Sequence, residues 1–183
     1  PARASLCDLD QFLRDIWLEC CGHLSVFRIE GQDYFVTSEV ARDLGGMSMA
    51  PKLGAVLRPR VEFQHEYDFG TTTDLVLTVV AERKGVAAET PVHVMARNDP
   101  PPIMCSVCGK APARVLCIEC KYDEEAWFCI QCGAKHECGI EMLLPVVNSP
   151  RMGMCAYTGD DTSCYDELLA AGAAAEEQWD VEL

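Results

Sequence analysis

Residues 105–138 read CSVCGKAPARVLCIECKYDEEAWFCIQCGAKHEC. Three C-x2-C pairs, Cys105 with Cys108, Cys117 with Cys120 and Cys129 with Cys132, recur at a twelve-residue period, and His136 with Cys138 closes the series. Seven thiols and one imidazole within 34 residues make eight donors, the number that fills two four-coordinate sites. Structural zinc takes closed tetrahedral sets of thiolate and imidazole. Two residues between cysteines form a tight turn that aims both sulfurs at one ion. A single pair carries little weight; three pairs at constant spacing with a fourth to close them carry much. A disulfide framework is disfavoured, because pairs at this spacing read as zinc sites. Iron–sulfur ligation fits less well, since such clusters are mostly held by four cysteines and His136 stands in the set.

The eight donors divide in one of two ways. In a sequential division Cys105, Cys108, Cys117 and Cys120 hold one ion, and Cys129, Cys132, His136 and Cys138 the other. In an interleaved division the first and third pairs share one ion, and the second and fourth share the other. The sequential second site must close with three residues and then one between its last ligands, which is cramped. Interleaving gives each ion longer loops and ties the two sites into one unit, so it is the preferred arrangement. The pattern resembles the small cross-braced fingers of the HIT, MYND and B-box kind. That resemblance implies protein contact in place of catalysis.

Working outward, the chain of 183 residues is long enough for one medium domain and a small one. Nearly half its residues are apolar, which suits a globular protein. No apolar run approaches the roughly twenty residues that cross a bilayer, so no membrane span is expected. The first residues, PARAS, lack the apolar core of a secretion signal. The expectation is a cytoplasmic protein, where cysteines stay reduced and metal binding is their usual clustered use. Cys7, Cys20, Cys21, Cys155 and Cys164 are left over as small apolar fillers or reduced thiols without an assigned role. Cys155 is the one that could replace Cys138 or His136 as a ligand, though burial without metal is preferred.

The formal net charge is -14, and residues 159–183 carry eight acidic residues with no Lys or Arg. Bound thiolates add further negative charge. Such a surface repels phosphate backbones, so direct nucleic-acid binding is disfavoured. A protein partner with a basic surface is easier to accommodate.

Residues 8–22 carry the clearest helical stripe: Leu9, Phe12, Leu13, Ile16, Trp17 and Cys20 recur at three and four. Asp8 with Gln11 suits a capping box, and Gly22 a C-terminal stop. Cys21 and His23 beyond it read most simply as a buried thiol and a satisfied histidine. Val26 to Glu30 and Tyr34 to Val36 are expected as strands about a turn at Gly31. A short helix follows from Ser38 to Leu44. Val61, Phe63, His65 and Tyr67 alternate with Glu62, Gln64 and Glu66, the mark of a half-buried strand. Leu75 to Ala81 supplies its antiparallel return, and Pro91 to Arg97 a third strand of the same kind. His65 reads as a core histidine. Pairing it with Asp68 or Asp74 as a catalytic base lacks any neighbouring nucleophile or phosphate loop.

The stretches FLRDIWLECCGHLSVFRI, FQHEYDFGTTTDL and VHVMARNDPPP, within residues 9–100, resemble the plasmid Ri ORF-three-like family, with YDFG the most specific piece. The resemblance extends to a branch with an appended cysteine-rich finger and the segment LPVVNSPRMGMCAYTG. Typical members carry Asp-x-Trp-x-His after YDFG, where this chain has Thr71-Thr72-Thr73-Asp74. An activity tied to that Trp and His is therefore not carried over. The family implies a compact α+β domain and no particular reaction.

The expected organisation is α+β, with an antiparallel or mixed sheet and an N-terminal helix over residues 1–99. A two-zinc finger over 100–139 follows, set off by the stiff Pro100-Pro101-Pro102. Residues 140–158 are too apolar for a linker and should pack back on the body. An acidic helical or frayed tail covers 159–183. The expected metal ligands are Cys105, Cys108, Cys117, Cys120, Cys129, Cys132, His136 and Cys138, holding two zinc ions. The function they suggest is a non-catalytic, zinc-stabilised protein-interaction module. The alternatives are an enzyme, or a plasmid- or DNA-associated accessory protein, with a site in the α+β domain.

Overall fold

The computed structural model describes residues 3–83, 85, 90–122, 125–159 and 162–179. The chain divides into two compact units, Pro1–Arg97 and Asn98–Leu183. It is a mixed α/β protein with an N-terminal helix. Among the described residues no helix is long and apolar enough to cross a membrane.

The first unit opens with helix α1, Leu6–Leu13, continued by one π-helical turn at Arg14–Leu18. The cap lies three residues earlier than the Asp8–Gln11 pair suggests. Ser5 Oγ accepts the Asp8 N–H, and the Asp8 carboxylate accepts the Ser5 N–H at 2.6 Å. Asp8 therefore answers Ser5 from the third helical position, a capping box with Asp in the glutamate's place. The helix also ends sooner than Gly22, because Glu19 N–H bonds to the Arg14 carbonyl and the backbone then turns extended.

Strand β1, Ser25–Ile29, pairs antiparallel with β2, Gln32–Phe35. The hairpin turns through Glu30 and Gly31, with φ of 49° and 82°. A two-residue turn of this kind needs both residues left-handed to match strand twist. Helix α2 covers Ser38–Leu44, and the short β3, Met47–Ser48, runs parallel to β2. After α3, Leu53–Val56, come β4, Glu62–Tyr67, and β5, Thr73–Thr78. The sheet is mixed, in the order β3-β2-β1-β4-β5. Val61, Phe63, His65 and Tyr67 are all buried, as their alternation predicts. They join Leu6, Leu13, Leu18, Phe27, Ile29 and Met49 in the core between sheet and α1. Val26, one residue from Phe27, points to the opposite face and meets Phe35 and Ala41. Pro91 to Arg97 is not a strand. Val94 and Met95 there are exposed, so the apolar side chains that suggest a strand find no face to cover.

A buried polar network crosses this core. Asp10 accepts from Arg14 Nε at 2.7 Å and from Ser25 Oγ at 2.6 Å, and its Oδ1 lies 2.7 Å from His65 Nε2. His65 is thus a core histidine whose carboxylate is Asp10, not Asp68 or Asp74. Burial pushes the Asp10 carboxyl up, but hydrogen bonds from His65, Ser25 and Arg14 outweigh it and hold it below its ordinary value.

In the second unit, β6, Val115–Cys117, is the centre of a three-stranded antiparallel sheet. Its neighbours are β7, Trp127–Phe128, and β8, Leu143–Pro145. Helix α4, Ile130–Gly133, follows β7, and α5 spans Ser163–Trp179. The apolar run after Cys138 thus supplies an edge strand to the finger. The acidic terminal segment is no loose appendage along α5: Cys164 and Leu168 are buried with Val115, Phe128 and Leu143. Residues 180–183 lie outside the described set.

Candidate metal centres

The strand pairing decides how the donors divide. Val115 faces Phe128 and Leu116 faces Trp127, so β6 and β7 run in opposite directions. The C-x2-C pair after β6 therefore leaves one end of the hairpin, and the pair after β7 leaves the other. Arg114 N–H bonds to the Phe128 carbonyl and Ala113 N–H to the Ile103 carbonyl, which brings the start of β6, the end of β7 and the first knuckle together. One set of donors is Cys105, Cys108, Cys129 and Cys132; the other is Cys117, Cys120, His136 and Cys138. This is the interleaved division.

Each set is built from small local devices. The first knuckle closes when Gly109 N–H bonds to the Cys105 carbonyl and Cys105 N–H to that of Ala111. Cys129 caps α4 and Cys132 sits within it, one helical turn on. Cys117 ends β6. His136 and Cys138 lie in the turns after α4, and the His136 ring packs on Phe128 with centroids 4.3 Å apart. That contact fixes the imidazole so that Nε2 faces Cys120 Sγ at 3.6 Å.

Distances within the sets match a metal-centred tetrahedron. Bonds of about 2.3 Å to sulfur and 2.0–2.1 Å to nitrogen put two sulfurs ~3.8 Å apart and sulfur and nitrogen ~3.5 Å apart. Cys108 and Cys129 sulfurs are 3.9 Å apart, and those of Cys120 and Cys138 3.8 Å. Within each set all donor atoms lie within 4.8 Å of one another. A disulfide needs about 2.05 Å, and no cysteine of the chain is in one.

The electrostatics describe sites poised to exchange protons for a cation. At Cys105 burial raises the thiol pKa, but N–H groups of Cys108, Cys129 and Val107 point at the sulfur and bring it down to about 6. At Cys132 burial and the neighbouring sulfurs of Cys129 and Cys105 push it up to about 12. Cys120 is likewise raised to about 12, by burial and then by Cys117 and Cys138. Four thiolates cannot share such a volume without a positive charge. A divalent cation removes that repulsion and deprotonates its ligands.

Cys155 belongs to neither of these sets. It is exposed, with a left-handed φ of 48°, so burial without metal does not describe it. The first unit holds a further gathering of donors that the count of two ions leaves out. Cys20, Cys21 and His23 also bring their donor atoms within 4.8 Å of one another. Cys21 is exposed, not a buried thiol. The adjacent cysteines and the nearby histidine are a visible signal in the sequence, but helical phasing to Gly22 obscures it: a helix would point Cys20 and Cys21 in different directions.

Compared with protein-family models, with curated proteins and with solved structures, the chain matches none. The donor sets supply one site of four cysteines and one of three cysteines with a histidine. Thiolate with imidazole in tetrahedral geometry is a donor set that suits zinc.

Proposed function

We propose that the protein is a non-catalytic, zinc-stabilised interaction module. The observation that carries this reading is the completeness of both finger sites. Each has four protein donors, whereas a catalytic zinc keeps one position for water or substrate. Three short strands with α4 and α5 enclose only a small core, so metal binding energy would serve as folding energy here. The two ions would fix the knuckles and hold outward the exposed Val107 and Tyr122, 63% and 88% accessible. Net charge -14 favours a partner with a basic surface over a nucleic acid. On the sequence stretches quoted above, we place the first unit with the plasmid Ri ORF-three-like proteins and the whole chain in the cytoplasm.

The test starts with elemental analysis of the reduced, purified full chain, which should contain zinc in both finger sites. Wild-type protein and Cys117→Ser are then used as baits under matched conditions. Capture of one defined partner by the wild type alone, weakened by salt, supports the reading. Capture unchanged after zinc is removed, or a salt-steep shift of duplex DNA by the full chain, would overturn it.

A further inference from the structure

The segment between α1 and β1 is held in place more firmly than a loop needs. Gly22, with φ of 76°, turns the chain back, and its N–H bonds to Glu19 Oε1 at 2.5 Å. Arg14 donates to Glu19 Oε2 and to the His23 carbonyl, each at 2.8 Å. Tyr67 OH donates to Glu19 at 3.2 Å and accepts the His23 N–H at 3.3 Å. Asp68 N–H bonds to the Leu24 carbonyl at 2.9 Å. These bonds fix a short, polar, partly exposed stretch that carries three soft or borderline donors.

The donors converge. Cys20 and Cys21 sulfurs are 3.6 Å apart, and Cys21 Sγ is 2.9 Å from His23 Nε2. The other imidazole nitrogen, Nδ1, is 3.5 Å from the buried carboxylate of Asp68. A metal-bound histidine usually turns its second nitrogen to a carboxylate, which sets the tautomer and strengthens the ligand. Asp68 is itself held in place by its turn. Its φ is 65°, and its Oδ1 accepts the Gly70 N–H at 3.0 Å. Asp68 lies in the YDFG turn, four strands further along the chain than the His23 it faces.

We infer that Cys20, Cys21 and His23 form a third zinc site, with Asp68 as the positioning residue behind His23. Two thiolates and one imidazole are a zinc donor set, and three ligands from one stretch leave the fourth position to a ligand outside it. Binding exchanges the Cys20 and Cys21 thiol protons for the cation, with no change of oxidation state. This site lies in a unit whose core is built around Leu6, Leu13, Phe27 and Tyr67, apart from any metal. It therefore adds to a folded scaffold and does not create one.

The test is a metal count on the full chain, reduced, zinc-loaded and freed of excess ion, for wild type and for Cys21→Ser. Cys21 is exposed, so the substitution leaves the core packing intact. We expect the variant to lose one ion relative to the wild type, or to release it to a competing chelator at least ten-fold more readily. The difference between the two proteins reads this site whatever the finger holds. In the wild type, bound zinc should shield Cys20 and Cys21 from iodoacetamide, and its removal should expose them. Asp68→Asn should weaken the third ion about ten-fold while leaving both sulfurs shielded at saturating zinc. Equal counts and equal release in wild type and Cys21→Ser would overturn the site. So would rapid alkylation of Cys21 in the zinc-loaded wild type, which would point to an activated nucleophile, or a Cys20–Cys21 disulfide formed in preference to zinc binding.

Discussion

Cys108 and Cys129 bring their sulfurs to 3.9 Å although a complete pair, Cys117 and Cys120, lies between them in the chain. The β6–β7 hairpin makes this possible, because it delivers successive knuckles to opposite ends of the finger. Both sites therefore share the hairpin, and damage to one should be felt at the other.

Cys117→Ser removes one ligand from the second set and leaves all four of the first. If the shared hairpin couples the sites, the first ion should also bind more weakly. The finger should retain at most one ion, held at least ten-fold less tightly than in wild type. Competition with a colorimetric chelator reads both quantities. A variant that keeps its first ion with wild-type affinity would show that the sites act independently.

Zinc retention should fall with acid. Without metal, Cys120 and Cys132 titrate at about 12, so both carry protons throughout the neutral range. Zinc must displace those protons, and raising the proton concentration drives the exchange backwards. Affinity should thus rise with pH across the neutral range, with proton release on binding. Calorimetry in buffers of different ionisation enthalpy measures that release.

Asp10 should give the first unit part of its acid sensitivity. Its folded pKa lies below its ordinary value, so its contribution is complete above the unfolded value of about 3.9. It is lost as pH falls through that value towards the lower folded one. Asp10→Asn should cost about 3 kcal/mol at neutral pH, since Arg14 and His65 lose a buried partner. It should also flatten the decline in stability as pH falls below about 4. Urea unfolding across that range, followed by circular dichroism, tests both statements.

Leu168 places the C-terminal helix in the finger's core, fully buried against Val115, Phe128 and Leu143. Leu168→Ala should destabilise the second unit by about 2–5 kcal/mol. Gly133→Ala tests the same contact from the other side. The added Cβ would sit 3.0 Å from Val115 Cγ2 and 3.2 Å from Leu168 Cδ2. Overpacking of about 1–3 kcal/mol should exceed the helix-propensity gain of roughly 1 kcal/mol. Thermal unfolding of the zinc-loaded protein measures each.

Spacing alone picked out the eight side chains that the fold gathers into two sets of four, because residue type and loop length are properties of the chain. Alternation alone placed Val61, Phe63, His65 and Tyr67 on one buried face, since side-chain direction in a strand has a fixed period of two. Pairing partners were decided in three dimensions. Which knuckles share an ion depends on the antiparallel register of Val115 with Phe128, and both divisions satisfy the same spacing. The carboxylate beside His65 comes from Asp10, 55 residues away, which no local pattern indicates. Pro91 to Arg97 has strand composition but joins neither edge of the sheet, and composition cannot supply a partner. The Cys20, Cys21 and His23 cluster appears only because the helix stops at Leu18 and Gly22 reverses the chain. The helical period projected through that point would scatter the same three side chains.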